Sequence, residues 1–194
     1  RSNISGNINV FAHSLKAVPR SMIREFKPLL PDEFCYLNTA EPNWRSMLSK
    51  ADSRVPHNWC DWLSDTGSLT ARILELSQGD LKVRVLQQSL EVPAFSERQL
   101  LGIGDRQRAL VREVILFGAN QPWVYARSIV PLTTLTGRLR KLRRLTNQPL
   151  GELLFKDPTM RREPVQVACF EPASNINLPI WGRRSVFKLD NIEL

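Results

Sequence analysis

The chain of 194 residues carries 27 Lys and Arg against 19 Asp and Glu, a formal net charge of +8, with 42% hydrophobic and 24% charged residues. That length supports one domain with a sizeable core and room for an appendage, and the composition excludes disordered, fibrous and disulfide-scaffold classes. No apolar run approaches a membrane span and no secretory leader pattern is visible, so a cytoplasmic protein is expected even though the chain begins at Arg1 rather than Met.

Residues 1 to 57 lack sustained periodicity and are broken by Pro19, Pro28, Pro31, Pro42 and Pro56. They read as an extension or irregular arm, with a short helix possible around Ser21 to Lys27. Order is expected from Trp59 onward. Leu69, Ile73, Leu74 and Leu76 have helical spacing over Ser68 to Leu76, with Asp65, Thr66 or Ser68 as the cap and Gly79-Asp80 as the stop. LKVRVLQQ alternates Leu81, Val83 and Val85 as a half-buried strand.

Two more strands, near 108 to 117 and 122 to 130, flank Gly118-Ala119-Asn120-Gln121, which is turn chemistry at hairpin length. In TGRLRKLRRL, Leu135, Leu139, Leu142 and Leu145 form a helical stripe, and Arg138, Arg140, Lys141, Arg143 and Arg144 occupy the remaining faces. This is a surface helix with a basic outer side. A solvated face, a phosphate-backbone footprint and a device that concentrates a small dianion near its pocket are all open uses of that charge. No zinc-finger, RNP or helix-turn-helix pattern accompanies it, so specific nucleic-acid recognition is not expected. A short helix over Pro149 to Phe155 and strands at Val165 to Phe170 and Arg183 to Leu189 complete the order. Hairpin-sized turns and helices that leave and return predict an α+β fold, an antiparallel sheet with helices grouped over one face.

Generic catalytic motifs are missing. Gly102-Ile103-Gly104 is a lone GxG and reads as a loop, and there is no P-loop or GxSxG. Cys35, Cys60 and Cys169 are odd in number and lack metal-ligand spacing, and His13 and His57 add little, so neither a metal nor a disulfide is expected. Three arginines stand out instead. Period-two alternation puts Arg112 with Leu110, Val114 and Leu116, Arg127 with Trp123, Tyr125 and Ile129, and Arg183 with Ser185, Phe187 and Leu189. A guanidinium does not escape burial by losing its proton, so something anionic should meet it. A carboxylate-bearing small molecule, an internal Arg–Glu pair, or a sheet with a wet second face would each serve.

The stretch RALVREVILFGANQPWVYARSIVPLTTLTG, followed by QPLGELLF and IWGRRSVFKL, resembles the chorismate pyruvate-lyase family. The resemblance runs from about Trp59 to Leu194 and is carried by Arg112-Glu113, by Ala126 to Pro131, by Pro149-Leu150-Gly151 and by Trp181 to Ser185. It implies a six-stranded antiparallel sheet with helices on one side of a buried ligand pocket, in a domain spanning residues 58 to 194. It also implies a cofactor-free monomeric lyase that splits chorismate into 4-hydroxybenzoate and pyruvate for quinone biosynthesis. By the same resemblance Arg112 grips the ring carboxylate. Leu69 and Leu150 offer backbone groups to the ligand, and Arg127 and Arg183 serve the second carboxylate or an adjoining anion site.

One family feature is not found. A glutamate in a Thr-Glu pair on the last strand is expected about four residues beyond Leu194, with Glu193 too early to replace it. The sheet is therefore expected to lack its closing strand and to leave one pocket wall open. Whether that carboxylate orients the ring hydroxyl or relays a proton stays open. A non-catalytic small-anion sensor on the same fold, of the kind that serves transcription regulators, is the alternative reading, and a nucleic-acid-binding module is a third.

Overall fold

The computed structural model describes residues 5–14, 41–47, 54–170 and 180–190. In chain order the elements are β1 (Ser5–Ser14), β2 (Arg45–Ser46), α1 (His57–Ser64), α2 (Leu69–Leu76), β3 (Leu81–Glu91), α3 (Phe95–Leu101), β4 (Ala109–Gly118), β5 (Gln121–Pro131), a 3-10 helix at Gly137–Arg144, α4 (Leu150–Phe155), β6 (Arg161–Arg162), β7 (Gln166–Phe170) and β8 (Ile180–Asp190). No helix among the described residues is long and apolar enough to cross a membrane. The short helix expected around 21–27 lies outside the described residues, as do Cys35 and Glu193.

All eight strands join one sheet in the order β2-β7-β8-β1-β5-β4-β3, with β6 also pairing with β8. Every pairing is antiparallel. β2 and β6 are two residues each, so the sheet proper has six strands. The α+β fold is as expected from the alternating patterns. The arrangement of one strand is not. Ser5–Ser14 falls in the stretch read as an irregular arm, yet it pairs with β5 from Asn9 to Ser14 and with β8 from Ser5 to Ser14. The expected open edge beside β8 is therefore filled. The run Gly6, Ile8, Val10, Ala12 against Asn7, Asn9, Phe11, His13 carries a period-two signal, which the prolines further along obscured.

β4 and β5 join through Ala119 and Asn120, whose φ angles of 51° and 59° make the two-residue turn that matches strand twist. β4, β5 and β8 are covered on both faces, and almost every residue in them is buried. That double burial is what strands polar side chains inside. On one face lie Leu110, Val114, Leu116, Val124, Val130, Phe187 and Leu189, packed by Ile73 of α2, Leu150 and Leu154 of α4 and the leucines of the 3-10 helix. On the other, Ala109, Val111, Ile129 and Val186 meet Leu101 of α3 and Ile103. The expectation of helices on one side thus needs one correction: α3 covers the reverse face, because that face is also apolar and must be shielded.

α2 begins where Ser68 Oγ accepts the Ala71 N–H at 3.3 Å, so Ser68 is the cap among the three candidates. The GxG loop also has a plain structural account, since Gly102 (φ 66°) ends α3 in the left-handed conformation. Leu135, Leu139, Leu142 and Leu145 are all buried and Arg140, Lys141, Arg143 and Arg144 are exposed, as the stripe predicted. The winding is 3-10 rather than α, which suits the three-residue steps from Leu139 to Leu142 to Leu145.

Gly118, at the hairpin, lies so close to Trp123 that a Cβ there would come within 2.7 Å of the indole ring. Gly118→Ala is therefore expected to lower stability by about 1–3 kcal/mol, the usual cost of overpacking, measured by urea unfolding.

Candidate active site

The cleft forms where the sheet face carrying Arg112 meets the first turns of two helices. Arg112, Val114 and Leu116 come from β4, Ala126 and Ser128 from β5, Arg183 and Phe187 from β8, and Arg162 from β6; Leu69 and Thr70 of α2 and Leu150, Gly151, Leu154 and Phe155 of α4 roof it. It encloses about 640 Å³ counting the solvent at its mouth. A Cβ on Gly151 would sit 3.0 Å from Thr70 Oγ1, so the beginnings of α2 and α4 meet closely over the cleft. Antiparallel register sets the charges. Arg112 pairs with Ser128, which is in line with Val10 and Ser185, whereas Arg183 is in line with Ala12, Ala126 and Val114. Both arginines therefore share one face, three strand spacings or roughly 14 Å apart across the sheet and offset by two residues along the strands.

Arg112 is 3% exposed. Its Nη2 donates to the carbonyls of Thr146 (2.9 Å) and Gln148 (3.0 Å), and its Nε is buried with no hydrogen-bond partner among the described residues. Burial pushes its pKa below the ordinary guanidinium value. Arg183 donates from Nη1 to the carbonyls of Trp62 (2.8 Å) and Asp65 (2.5 Å). Burial, with the charges of Arg162 and Arg72 adding to it and Asp65 opposing, pushes Arg183 down to about 10, which still leaves it cationic at neutral pH. Arg162 donates from Nε to Ser185 Oγ at 3.0 Å, reaches the carbonyls of Asp65 and Gly67 at 3.4 Å, and lies 5.2 Å from the Phe187 ring centre. The nearby carboxylate of Asp65 is taken up by Arg72 at 3.1 Å and by the Gly67 N–H at 2.7 Å. Burial alone would raise the Asp65 pKa, but those hydrogen bonds and the adjacent arginines hold it below its usual value. None of the described residues lining the cleft is Asp or Glu. Backbone carbonyls supply partial charge, but no full countercharge lines the cleft among the described residues.

Arg127 is a different case. It lies on the reverse face, where Nε and Nη2 grip both oxygens of Glu97 (2.8 and 3.2 Å) and Nη1 meets Glu113. Burial by itself would lower its pKa, and the two carboxylates outweigh that and raise it. Tyr125, next to Glu113, is pushed upward by burial and by that negative charge. The assignment of Arg127 to an anion site is thus corrected: it is an internal Arg–Glu cluster, because its odd-numbered position turns it away from the cleft. Arg184 also faces away, donating to Gln166 Oε1 at 2.6 Å and lying over the Trp44 ring.

Four of the five expected site residues, Arg112, Leu69, Leu150 and Arg183, therefore come together, and Arg127 does not. Arg162 was not foreseen. Its strand is two residues long and is followed by Pro164, so no alternation could mark it. His57 is exposed at the start of α1, and Cys60 is buried while Cys169 is exposed, all outside the cleft. Among the described residues no cluster of three or more His, Cys, Asp or Glu is placed to hold a metal.

A chorismate lyase family model matches residues 44–194, a span that contains every residue of the cleft. The chain belongs to the chorismate lyase family. Among its relatives, a probable chorismate pyruvate-lyase of Psychromonas ingrahamii is 36% identical over 169 residues, covering 79% of this chain and 89% of the relative. Proteins of the same description from Pseudomonas putida and Azoarcus sp. are each 39% identical, the first over 69% of this chain and 76% of its own, the second over 74% and 84%. The match begins at residue 44, earlier than the residues that carried the resemblance, and takes in β2 and Trp44, which packs against Phe170 at 5.8 Å. This chorismate lyase family member is an enzyme of the lyase class.

The reverse-face cluster should matter to stability and not to ligand. Glu97→Gln, which breaks the paired grip on a buried arginine, is expected to cost about 3–5 kcal/mol in urea unfolding. Ligand affinity of the folded variant, measured by calorimetry, should be unchanged.

Proposed function

We propose that the cleft binds chorismate and splits it into 4-hydroxybenzoate and pyruvate, supplying a hydroxybenzoate ring for ubiquinone-type quinone biosynthesis. One observation carries this reading: three cationic guanidinium groups, Arg112, Arg162 and Arg183, converge on an apolar cleft whose described lining has no carboxylate to neutralise them. Such a site favours a small organic anion that carries both charge and ring.

In this reading Arg112 holds the ring carboxylate. Nη2 is fixed by the Thr146 and Gln148 carbonyls, which leaves Nε and the rest of the fork for the ligand. Val114, Leu116, Leu154 and Phe187 supply the apolar walls for the ring, and Leu69 and Leu150 place their backbone groups at its edge. The substrate provides the driving force. The C4–H electron pair becomes the last ring double bond, the C3–O bond breaks with its pair going to the enolpyruvyl oxygen, and the proton ends on the methylene carbon of the departing group. Products are an aromatic ring and pyruvate, with no net oxidation and no cofactor. What the chain's own residues contribute is orientation, exclusion of water, and positive charge where the leaving oxygen becomes negative. Arg183, already desolvated and fixed on two carbonyls, meets that charge without reorganising.

The direct test is to incubate the purified protein with chorismate and follow 4-hydroxybenzoate by absorbance and pyruvate by a coupled dehydrogenase. Equal release of both is expected, and no release of either would overturn the reading. Arg112→Ala, checked for folding by circular dichroism, is expected to weaken 4-hydroxybenzoate binding by about 2–5 kcal/mol, as when one member of a buried charge pair is removed. An unchanged dissociation constant would place the ring carboxylate elsewhere.

A further inference from the structure

The cleft is charged at two separate places, and only one of them is needed for a ring carboxylate. Arg112 stands on β4, and Arg162 and Arg183 stand across β5 and β1 on β6 and β8. Between the two positions the lining is Val114, Ala126, Ser128 and Phe187, without charge. At the far position Ser185 Oγ accepts from Arg162, and the carbonyl of Asp65 accepts from both Arg162 and Arg183, so a shared set of oxygens holds two cations side by side. Among the described residues the carboxylate that bears on both, Asp65, is committed to Arg72 and the Gly67 N–H. Two adjacent guanidinium groups repel each other, and the arrangement is relieved when an anion bridges them.

We propose that Arg162 and Arg183 form a second carboxylate subsite, and that Arg162 is the residue by which the cleft distinguishes a dianion from a monoanion. This rests on the chorismate reading for its natural ligand but not for its chemistry. Of the pair, Arg183 is the more occupied: its Nη1 makes two short bonds that fix the end of α1 and the loop before α2. Arg162 has one firm bond, from Nε to Ser185, and its two carbonyl contacts are long at 3.4 Å. No hydrogen bond to its Nη2 is present among the described residues, which leaves that nitrogen for a ligand oxygen. The Phe187 ring, 5.2 Å from the guanidinium carbon, gives the cation an aromatic neighbour on the cleft wall. For chorismate the second carboxylate is that of the enolpyruvyl ether. Holding it there would tether the leaving group beside Arg183 while Arg112 retains the ring.

The test compares one monoanion with one stable dianion by calorimetry: 4-hydroxybenzoate, and 3-(carboxymethoxy)benzoate, which carries a ring carboxylate and an ether-linked carboxylate at the meta position. In Arg162→Gln the affinity for the dianion should fall roughly 10- to 100-fold, the loss expected for a hydrogen bond to a charged group, with the monoanion changed by less than about threefold. Arg162→Lys keeps the charge without the planar fork and should recover part of the dianion affinity. In the turnover assay the same Gln variant should raise the KM for chorismate without weakening inhibition by 4-hydroxybenzoate. Equal losses for both ligands, or none for either, would overturn the subsite. If the wild-type protein binds the dianion through Arg162 yet does not turn over chorismate, the lyase reading fails and the subsite stands. Circular dichroism and a monoanion affinity near wild type establish that each variant is folded.

Discussion

Positive charge buried on one face of a central sheet, in a cleft whose described lining has no Asp or Glu, is the constraint around which the rest of the molecule is arranged. Arg112 and Arg183 stand on strands covered on both sides, where a guanidinium stays protonated even though burial pushes its pKa down. Their immediate partners are peptide carbonyls: Thr146 and Gln148 for the one, Trp62 and Asp65 for the other. Those carbonyls belong to the connection into α4, to the end of α1 and to the loop before α2, and so tie the arginines to the helices that roof the cleft. The arginines of the cleft therefore also fix the elements that roof it, and in the proposed reading a bound carboxylate completes the set of polar partners around them.

The reverse face shows what the same residue type does when charge is balanced internally. Arg127 is separated from the cleft only by the pleat of β5, yet Glu97 from α3 and Glu113 from β4 enclose it. That cluster joins α3 to β4 and β5 and uses up its charge in doing so. Glu97 also accepts the Ala94 N–H at 2.8 Å, capping α3 and tying helix start and arginine to one carboxylate. The sheet thus sorts its arginines by parity, with Arg127 paired to carboxylates on the reverse face and Arg112 and Arg183 held by peptide carbonyls on the cleft face.

β1 gives the sheet its continuity. Without a strand between β5 and β8, Arg112 and Arg183 would belong to separate halves of the cleft, and β8 would carry a row of unpaired backbone groups along a pocket wall. Ser5–Ser14 fills that place and pairs on both sides. It is also what separates the two charged positions of the cleft, Arg112 on β4 and Arg183 on β8, by the width of β5 and β1.

The sequence by itself determined the local periodicities. The strands around Arg112, Arg127 and Arg183, the Gly118–Gln121 hairpin, the helix from Ser68 to Leu76 and the leucine stripe under the basic face were all legible, because each is set by residues a few positions apart, whereas the choice of Ser68 as cap and the 3-10 winding came from the structure. So was the resemblance that placed Leu69, Arg112, Leu150 and Arg183 in one site. Only the tertiary structure decided which arginines face the same way, since alternation fixes a side chain relative to its own strand and says nothing of which face another strand turns toward it. Arg127 was misassigned for that reason. Arg162 was missed because a two-residue strand has no period to read, and β1 was missed because the prolines that follow it masked its short alternation, while its place between β5 and β8 is set by partners more than a hundred residues away. A pocket is made of long-range register, and register exists only once the strands have met.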